Sequence, residues 1–206
     1  MKKLTEIGIK HNTDKATYHL YTDHYDEIFA QYNNPRILEI GVADFGSIST
    51  YLEYYDNPYV VGMDIEDKTR YVNSQWKFVQ GDQTNINDLE KCILGEDFFD
   101  IIIEDGGHTM KQQQITFGYL INHIKSGGFY ILEDLHTSLR PIYIDSDCQY
   151  TSLEMLQRIQ NDESYFSNYI PKDKQLEIKS KIKSIHIIPK DPTNYNDSVT
   201  SIIQIR

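Results

Sequence analysis

Carboxylates and a histidine stand at the ends of two short apolar segments of the chain. Asp105 and His108 follow one apolar run, and Glu133 and Asp134 end another. If the two runs are neighbouring strands of a parallel sheet, about 4.8 Å apart, their terminal carboxylates meet above one edge of that sheet. Like charges so close are costly unless a cation neutralises them, and oxygen ligands favour Mg²⁺ or Mn²⁺ over Zn²⁺. A histidine beside such an ion could act as a general base near neutral pH, although a solvent-facing acidic rim would leave the same pattern.

Earlier apolar runs end in acidic residues as well. Glu39 precedes a turn that contains Gly41 and leads to Ser47, where a helix could begin. A glycine there allows the backbone to approach a ligand, and the start of a helix presents free N–H groups to it. Asp64 ends the next run, and a carboxylate at that place suits the two hydroxyls of a ribose. An ordinary turn and a solvated acid would give the same residues.

A third run ends in Gly81, Asp82 and Gln83, which could hydrogen-bond the amino group of an adenine. Strands that end in acids one after another predict an adenosine pocket without phosphate, because this many carboxylates would repel a pyrophosphate. The first turn also lacks the G-x-G-x-x-G pattern of dinucleotide sites, since Ala43 occupies its middle position.

Alternating apolar and amphipathic segments predict the elements that hold these residues. Strands are expected at 36–41, 59–65, 76–80, 98–104 and 129–133, with two more at 183–189 and 198–206. Helices are expected at 22–31, 47–56, 84–94, 109–126, 149–168 and 173–182. Strands that alternate with helices build a parallel sheet. The last two strands would add an antiparallel pair at its edge, and Gly127 and Gly128 would separate the long helix from the fifth strand.

Composition excludes several classes of protein. The chain has 206 residues, with 31 Asp and Glu against 20 Lys and Arg and a formal charge of −11. Such acidity argues against nucleic acid or an anionic membrane surface as a partner. No apolar run approaches the roughly 18 residues of a membrane-spanning helix. Two cysteines and a polar sequence after Met1 lead us to expect a cytoplasmic protein without a signal peptide.

The order of these motifs resembles a known enzyme family. E-x-G at 39–41, the acid at 64 and G-D-Q at 81–83 are similar to class I S-adenosylmethionine-dependent methyltransferases. D-G-G-H at 105–108, followed by E-D at 133–134, resembles more narrowly the metal-dependent sugar O-methyltransferases of macrolide tailoring, the mycinamicin and macrocin type. An N-terminal arm with T-D-K and then H-x-Y-x-x-x-Y looks like the family element that folds over the cofactor. The resemblance covers roughly residues 8–140.

This resemblance implies a fold and a pair of cofactors. The expected fold is an α/β, Rossmann-like, doubly wound sheet of about seven strands, mostly parallel with an antiparallel C-terminal strand and helices on both faces. The cofactors would be S-adenosyl-L-methionine and Mg²⁺, or Mn²⁺ in its place. Asp105, Glu133 and Asp134 would hold the metal, and His108 would be the catalytic base.

A larger set of residues is assigned to the organic cofactor. It comprises Thr13, Lys15, Tyr21, Glu39, Gly41, Ser47, Asp64, Asp82, Gln83 and Asp105. The chain is expected to form a single methyltransferase domain over 1–206. Its parts would be a cofactor-capping arm (1–34), a cofactor-binding core (35–134), an acceptor-side helical segment (135–182) and a C-terminal β pair (183–206).

The implied activity is methyl transfer to a hydroxyl of a sugar or sugar-containing metabolite, as in polysaccharide or natural-product tailoring. The partner would be a small-molecule acceptor, such as a nucleotide-linked sugar, and a homo-oligomer is compatible with the family. Several alternatives stay open: an N-methyltransferase, a catechol-type O-methyltransferase, an NAD-dependent oxidoreductase that uses Asp64 on its ribose, and a binding module that keeps the fold without catalysis.

Overall fold

The strands of the protein lie in one mixed sheet. The computed structural model describes residues 3–69, 74–93, 98–189 and 197–206. Within them the strands are β1 (Arg36–Ile40), β2 (Tyr59–Asp64), β3 (Trp76–Gln80), β4 (Phe99–Glu104), β5 (Ile124–Leu132), β6 (Ile182–Ile188) and β7 (Thr200–Ile205). They form a seven-stranded sheet in the order β3-β2-β1-β4-β5-β7-β6. The first five strands are parallel, and β7 pairs antiparallel with both β5 and β6.

Helices cover both faces of this sheet. They are α1 (Lys3–Lys10), α2 (Asp14–Thr17), α3 (Thr22–Phe29), α4 (Gly46–Tyr54), α5 (Ile86–Glu90), α6 (Met110–Leu120), α7 (Ser152–Gln160) and α8 (Lys172–Lys181). Short 3-10 turns lie at Ile121–His123, Leu135–Leu139 and Pro141–Tyr143. The expected architecture, a mostly parallel sheet with an antiparallel C-terminal pair and helices on both faces, is therefore confirmed. No helix within the described ranges has the length and apolar character needed to cross a membrane.

Strand alternation divides the buried side chains between two cores. One core contains Leu38, Ile102 and Tyr130 and is covered by α5 to α8. The other contains Ile37, Ile101 and further residues of the sheet, together with side chains from α1, α3 and α4. Because successive side chains of a strand point to opposite faces, residues of one parity share a face. This alternation decides which acidic residues meet at the strand ends.

The N-terminal arm, the described residues 3–34, contributes directly to the second core. Leu4 of α1 and Phe29 of α3 are fully buried, and Tyr25 is almost fully buried. Tyr55 at the end of α4 donates a hydrogen bond of 2.7 Å from its hydroxyl to the carbonyl oxygen of Phe29. The arm is thus a packed layer of the protein, because its apolar side chains complete the covering of the sheet.

One boundary prediction is wrong at the fifth strand. The helix expected at 109–126 ends as α6 at Leu120, and β5 begins at Ile124, so that both glycines lie inside the strand. Gly127 adopts a left-handed φ of +81°, and a Cβ on Gly128 would lie 2.7 Å from the carbonyl oxygen of Asp100. The glycines therefore permit an irregular strand that passes close to β4, whereas a glycine pair in sequence usually indicates a turn.

Two helices are shorter than predicted. The helix expected at 149–168 is α7, which begins at a capping box formed by Thr151 and Glu154. The residue after its C-cap, Asp162, has a φ of +60°, a conformation that cannot continue a helix. The helix expected at 84–94 is α5, five residues long, with Asn85 as its N-cap. In both cases polar residues that cap the helix fix boundaries that the apolar pattern does not reveal.

Candidate functional site

A cavity of about 390 Å³ opens at the carboxyl ends of the parallel strands. Its wall is formed by the turns that follow β1 to β5, and it includes Gly41, Asp64, Asp82, Gln83, Asp105, His108 and Asp134, all expected to be site residues. Ligand sites of open α/β sheets occur at this edge, and a volume of this size is within the usual range of roughly 300–1,000 Å³ for small-molecule pockets. The structure therefore brings seven of the predicted residues to one cavity.

The turn after β1 forms the floor of this cavity. Gly41 has a φ of +89°, and a Cβ at this position would lie 2.6 Å from the carbonyl carbon of Asp105. Only glycine allows the first turn to lie directly against the turn after β4. The amides of Val42 and Ala43 donate to one carboxylate oxygen of Asp64 at 2.9 and 3.0 Å. Asp64 therefore orders the first turn as well as facing the cavity.

The residues after β3 have different environments. Asp82 is exposed, and its Oδ1 accepts hydrogen bonds from the backbone N–H and the hydroxyl of Thr84. Gln83 is buried, and its amide nitrogen donates to Glu104 Oε1 at 2.7 Å and to the hydroxyl of Thr116 at 3.1 Å. Its amide oxygen accepts from the backbone N–H of Gly107 at 2.5 Å. The side-chain amide of Gln83 thus joins the ends of β3 and β4, and its contact with an adenine stays a prediction.

Glu104 is a buried acid for which no role was expected from the sequence. It lies at the end of β4 and faces the core under α6, on the opposite face from Asp105. Burial raises the pKa of Glu104 to about 8. Its Oε2 has no hydrogen-bond partner within the described part of the chain. The sequence signal for this environment is its place as the last residue of β4, directly after Ile101, Ile102 and Ile103.

Three side chains at the rim form a group that could hold a metal ion. One ligand atom from each of Asp105, His108 and Asp134 lies within 4.8 Å of the others. His108 Nε2 is 3.5 Å from Asp134 Oδ2, and His108 Nδ1 has no hydrogen-bond partner in the described structure. Carboxylate oxygens with a neighbouring imidazole are a donor set that suits a hard divalent cation. The residues present therefore fit the predicted metal.

The backbone of Asp134 explains how it reaches this group. Its φ of +55° and ψ of +34° are left-handed, two residues after the end of β5 at Leu132. Such a conformation is uncommon for a residue other than glycine, although Asp and Asn tolerate it better than most. The hydroxyl of Tyr21 donates to Asp134 Oδ1 at 2.9 Å. The turn therefore redirects Asp134 toward the cavity, and the arm holds its carboxylate there.

Glu133 points away from this group. Its Oε1 accepts a hydrogen bond of 3.0 Å from the hydroxyl of Tyr25, and its Oε2 is 2.8 Å from the ammonium of Lys15. Burial raises the pKa of Glu133 well above its usual value, and Lys15 acts in the opposite direction. Glu133 is thus adjacent to the rim group without being part of it in this structure, and its role as a metal ligand stays a prediction.

Lys15 lies in a buried cluster of acids. Its ammonium contacts Asp105 as well as Glu133 and is 3.4 Å from Glu39 Oε1. Residues 39, 105 and 133 share one parity along their strands, which places all three carboxylates on the face covered by the arm. Burial raises the pKa of Glu39 to about 7, although Lys15 and Ser47 lower it.

The remaining predicted residues lie behind the cavity wall. Ser47, in the first turn of α4, donates from its hydroxyl to Glu39 Oε2 at 2.7 Å. Thr13 is buried, and its backbone lies against Gly46, where a Cβ would be 3.1 Å from Thr13 Cα. Five of the predicted residues therefore support the site without lining the cavity: Thr13, Lys15, Tyr21, Glu39 and Ser47. Their direct contact with a cofactor stays a prediction.

Known proteins with the same architecture and related sequences identify what this site resembles. No protein-family model matches the chain. Mycinamicin VI 2''-O-methyltransferase of Micromonospora griseorubida is 31% identical over 170 residues, which cover 76% of this chain and 43% of that enzyme. Demethylmacrocin O-methyltransferase of Streptomyces fradiae is 32% identical over 148 residues, which cover 67% of this chain and 38% of that enzyme. The matched region thus spans less than half the length of these relatives.

A solved structure resembles nearly the whole chain. The MycE methyltransferase from the mycinamycin biosynthetic pathway, in complex with Mg, SAH and mycinamycin VI, superposes with a TM-score of 0.79 at 25% identity. The similarity covers 98% of this chain and 54% of the MycE chain. By its fold this protein therefore belongs to the class I S-adenosylmethionine-dependent methyltransferases, and by its sequence it is a homologue of the macrolide sugar O-methyltransferases.

Proposed function

We propose that this protein transfers a methyl group from S-adenosylmethionine to a hydroxyl oxygen of a sugar or sugar-containing metabolite, with the help of Mg²⁺ or Mn²⁺. The observation that carries this proposal is the position of Asp105, His108 and Asp134 at one end of the acid-lined cavity. An imidazole and two carboxylates therefore lie beside a space suited to a small organic ligand. The names of the relatives, all O-methyltransferases, support the same reaction.

The cavity wall offers groups for each part of the cofactor. Asp64 would accept hydrogen bonds from the ribose hydroxyls, and Asp82 lies on the same wall for the adenine amino group. Gly41 would bring the backbone close to the ligand. S-adenosylmethionine supplies a methyl group on a sulfonium, which is already activated for displacement. The chain's task is then to align the acceptor oxygen with that methyl and to exclude water.

The metal and the base share the other end of the cavity. Asp105 and Asp134 would hold the cation, with Glu133 as a third carboxylate beside them. A bound divalent ion lowers the pKa of an acceptor hydroxyl. His108 would then take the hydroxyl proton as the new C–O bond forms and the C–S bond breaks. His108 is 27% exposed and therefore accessible to an acceptor, and a positioned base of this type contributes about 10²–10⁴-fold.

The segment after β5 supports a sugar as the acceptor. Tyr143 places its ring 6.5 Å from the ring of His108, measured between centroids. An aromatic ring beside the base offers a surface on which the apolar face of a sugar could stack. The acidity of the protein is unfavourable for a polyanionic acceptor such as nucleic acid. A small neutral glycoside or a sugar metabolite agrees with both features.

Two measurements test the proposal. Calorimetry with S-adenosylhomocysteine should detect binding to the full chain, whereas NADH should not bind. A methyl-transfer assay with S-adenosylmethionine and a panel of glycosides should give turnover that EDTA abolishes and Mg²⁺ restores. A catechol and a primary amine belong in the same panel, because they represent the competing acceptor classes. Binding of NADH, or turnover that is indifferent to EDTA, would refute the proposal.

A further inference from the structure

A buried ammonium occupies the inner part of the acid cluster. Only 3% of the Lys15 side chain is exposed, and it contacts Asp105 and Glu133 directly. A third carboxylate, Glu39, has its Oε1 3.4 Å from the same ammonium. The lysine is therefore a fixed positive charge among carboxylates that would otherwise repel one another.

The acid cluster has two halves. The inner half lies under the arm, where the ammonium sits between Glu133 and Asp105 within reach of Glu39. The outer half faces the cavity, where Asp105, His108 and Asp134 have ligand atoms close enough for one ion. Asp105 belongs to both halves. A cation at the outer half must therefore share this carboxylate with an ammonium that is already in place.

Glu133 is subject to the same competition. Both of its oxygens are engaged, one by Tyr25 and one by Lys15. A divalent ion can be coordinated by both oxygens of Glu133 only if the ion pair between Lys15 and that carboxylate weakens. Like charges a few ångströms apart repel one another strongly at the reduced permittivity of a protein interior. The ammonium thus limits both the ligands and the electrostatic attraction available to an incoming ion.

We propose that Lys15 is a positioning residue that acts as a resident cation: it fills the inner half of the cluster, orients Asp105 and Glu133, and weakens the binding of the divalent ion at the outer half. This inference rests on the proposed function, because it concerns the metal of that site. It assigns to Lys15 a role toward the metal centre, in place of the direct cofactor contact expected from the sequence. Removing the ammonium should therefore tighten metal binding.

An Mn²⁺ titration followed by electron paramagnetic resonance tests this inference. The full chain is first stripped with EDTA, and free Mn²⁺ is then measured in the wild type and in Lys15→Met. We expect the Kd for Mn²⁺ to fall about tenfold in Lys15→Met, because the repulsion is gone and Glu133 becomes free. Lys10→Met is the matched control, since Lys10 lies on the same arm but pairs with Glu53 at the surface. Its Kd should match that of the wild type.

A second variant keeps the test valid if Lys15→Met does not fold. Lys15→Met leaves buried acids without their partner, so Lys15→Met/Glu39→Gln removes one negative charge together with the positive one. Circular dichroism establishes which variants are folded, and the double variant should also bind Mn²⁺ more tightly than the wild type. An unchanged or raised Kd in a folded Lys15 variant overturns the inference while the proposed function stands. A wild type that binds no Mn²⁺ overturns the metal-dependent function itself.

Discussion

Replacing Gly41 with alanine tests whether the contact between the turns after β1 and β4 is as tight as described. The added Cβ would lie 2.6 Å from the carbonyl carbon of Asp105 and 2.9 Å from Gly106 Cα. Nonbonded carbon atoms pack at about 3.5–4.0 Å, so one of the two turns must move. The left-handed φ of +89° adds a second penalty, because alanine disfavours this conformation.

Gly127→Ala separates these two penalties. Gly127 has a similar φ of +81°, but a Cβ there meets nothing within 4 Å. The conformational penalty alone is about 1–2 kcal/mol. Overpacking at Gly41 adds about 1–3 kcal/mol or more, because the obstructing atoms belong to the backbone. We therefore expect Gly41→Ala to lower the free energy of unfolding by about 2–5 kcal/mol and Gly127→Ala by about 1–2 kcal/mol.

Urea unfolding followed by the fluorescence of Trp76, the single tryptophan, gives both values. Calorimetry with S-adenosylhomocysteine gives a second readout, since displacement of Asp105 should weaken binding in Gly41→Ala and leave Gly127→Ala unaffected. The reasoning fails if the two variants are destabilised equally, because the close approach of the turns would then contribute nothing.

Three further predictions concern single polar side chains. The raised pKa of Glu104, about 8 against a usual 4.5, means that the folded state keeps a proton that the unfolded state loses. The stability of the EDTA-treated protein should therefore fall as the pH rises from about 4.5 through about 8. In urea titrations, Glu104→Gln should make this fall in stability less steep. If the variant and the wild type lose stability equally with pH, Glu104 is not the group responsible. His108→Ala should bind S-adenosylhomocysteine as the wild type does and lose about 10²-fold or more in turnover, so full turnover would remove its role as base. Tyr25→Phe leaves a Glu133 oxygen without its donor and should cost about 1–3 kcal/mol in urea unfolding, and an unchanged midpoint would contradict the hydrogen bond.

The central strands could be predicted from the sequence because they are short apolar runs that end in polar residues. β1 to β4 lie within one or two residues of their expected positions. The start of β5 could not be predicted, because Gly127 and Gly128 indicate a turn. Only the structure shows that the backbone at Gly128 lies against β4. The position of Asp64, Asp82 and Asp105 at the cavity could likewise be predicted, because ligand sites of parallel sheets lie at the carboxyl ends of the strands.

The environment of Lys15 could not be predicted from the sequence. Lys15 contacts Asp105, which lies 90 positions later in the sequence, and Glu133, which lies 118 positions later. Strand parity could have placed Glu39 and Glu133 on one face, but nothing in the sequence indicates that the arm covers that face. Gln83 presents a similar difficulty, because its position suits a ligand and its amide is used by protein groups instead.

The position of β7 has a consequence for how the chain folds. β6 precedes β7 in sequence, yet within the described residues its neighbour in the sheet is β7, which lies between β6 and β5. The pairing of β5 with β7 also closes a long loop, since Ser201 contacts Leu132 from 69 positions away. Because β6 and β7 pair locally, from Ile188 with Thr200 to Ile182 with Ile205, we expect them to form a hairpin that docks on β5 late. Until that hairpin docks, the edge of β5 is open and the hairpin exposes Ile185 and Ile203, and this interval is when the protein is most prone to aggregate.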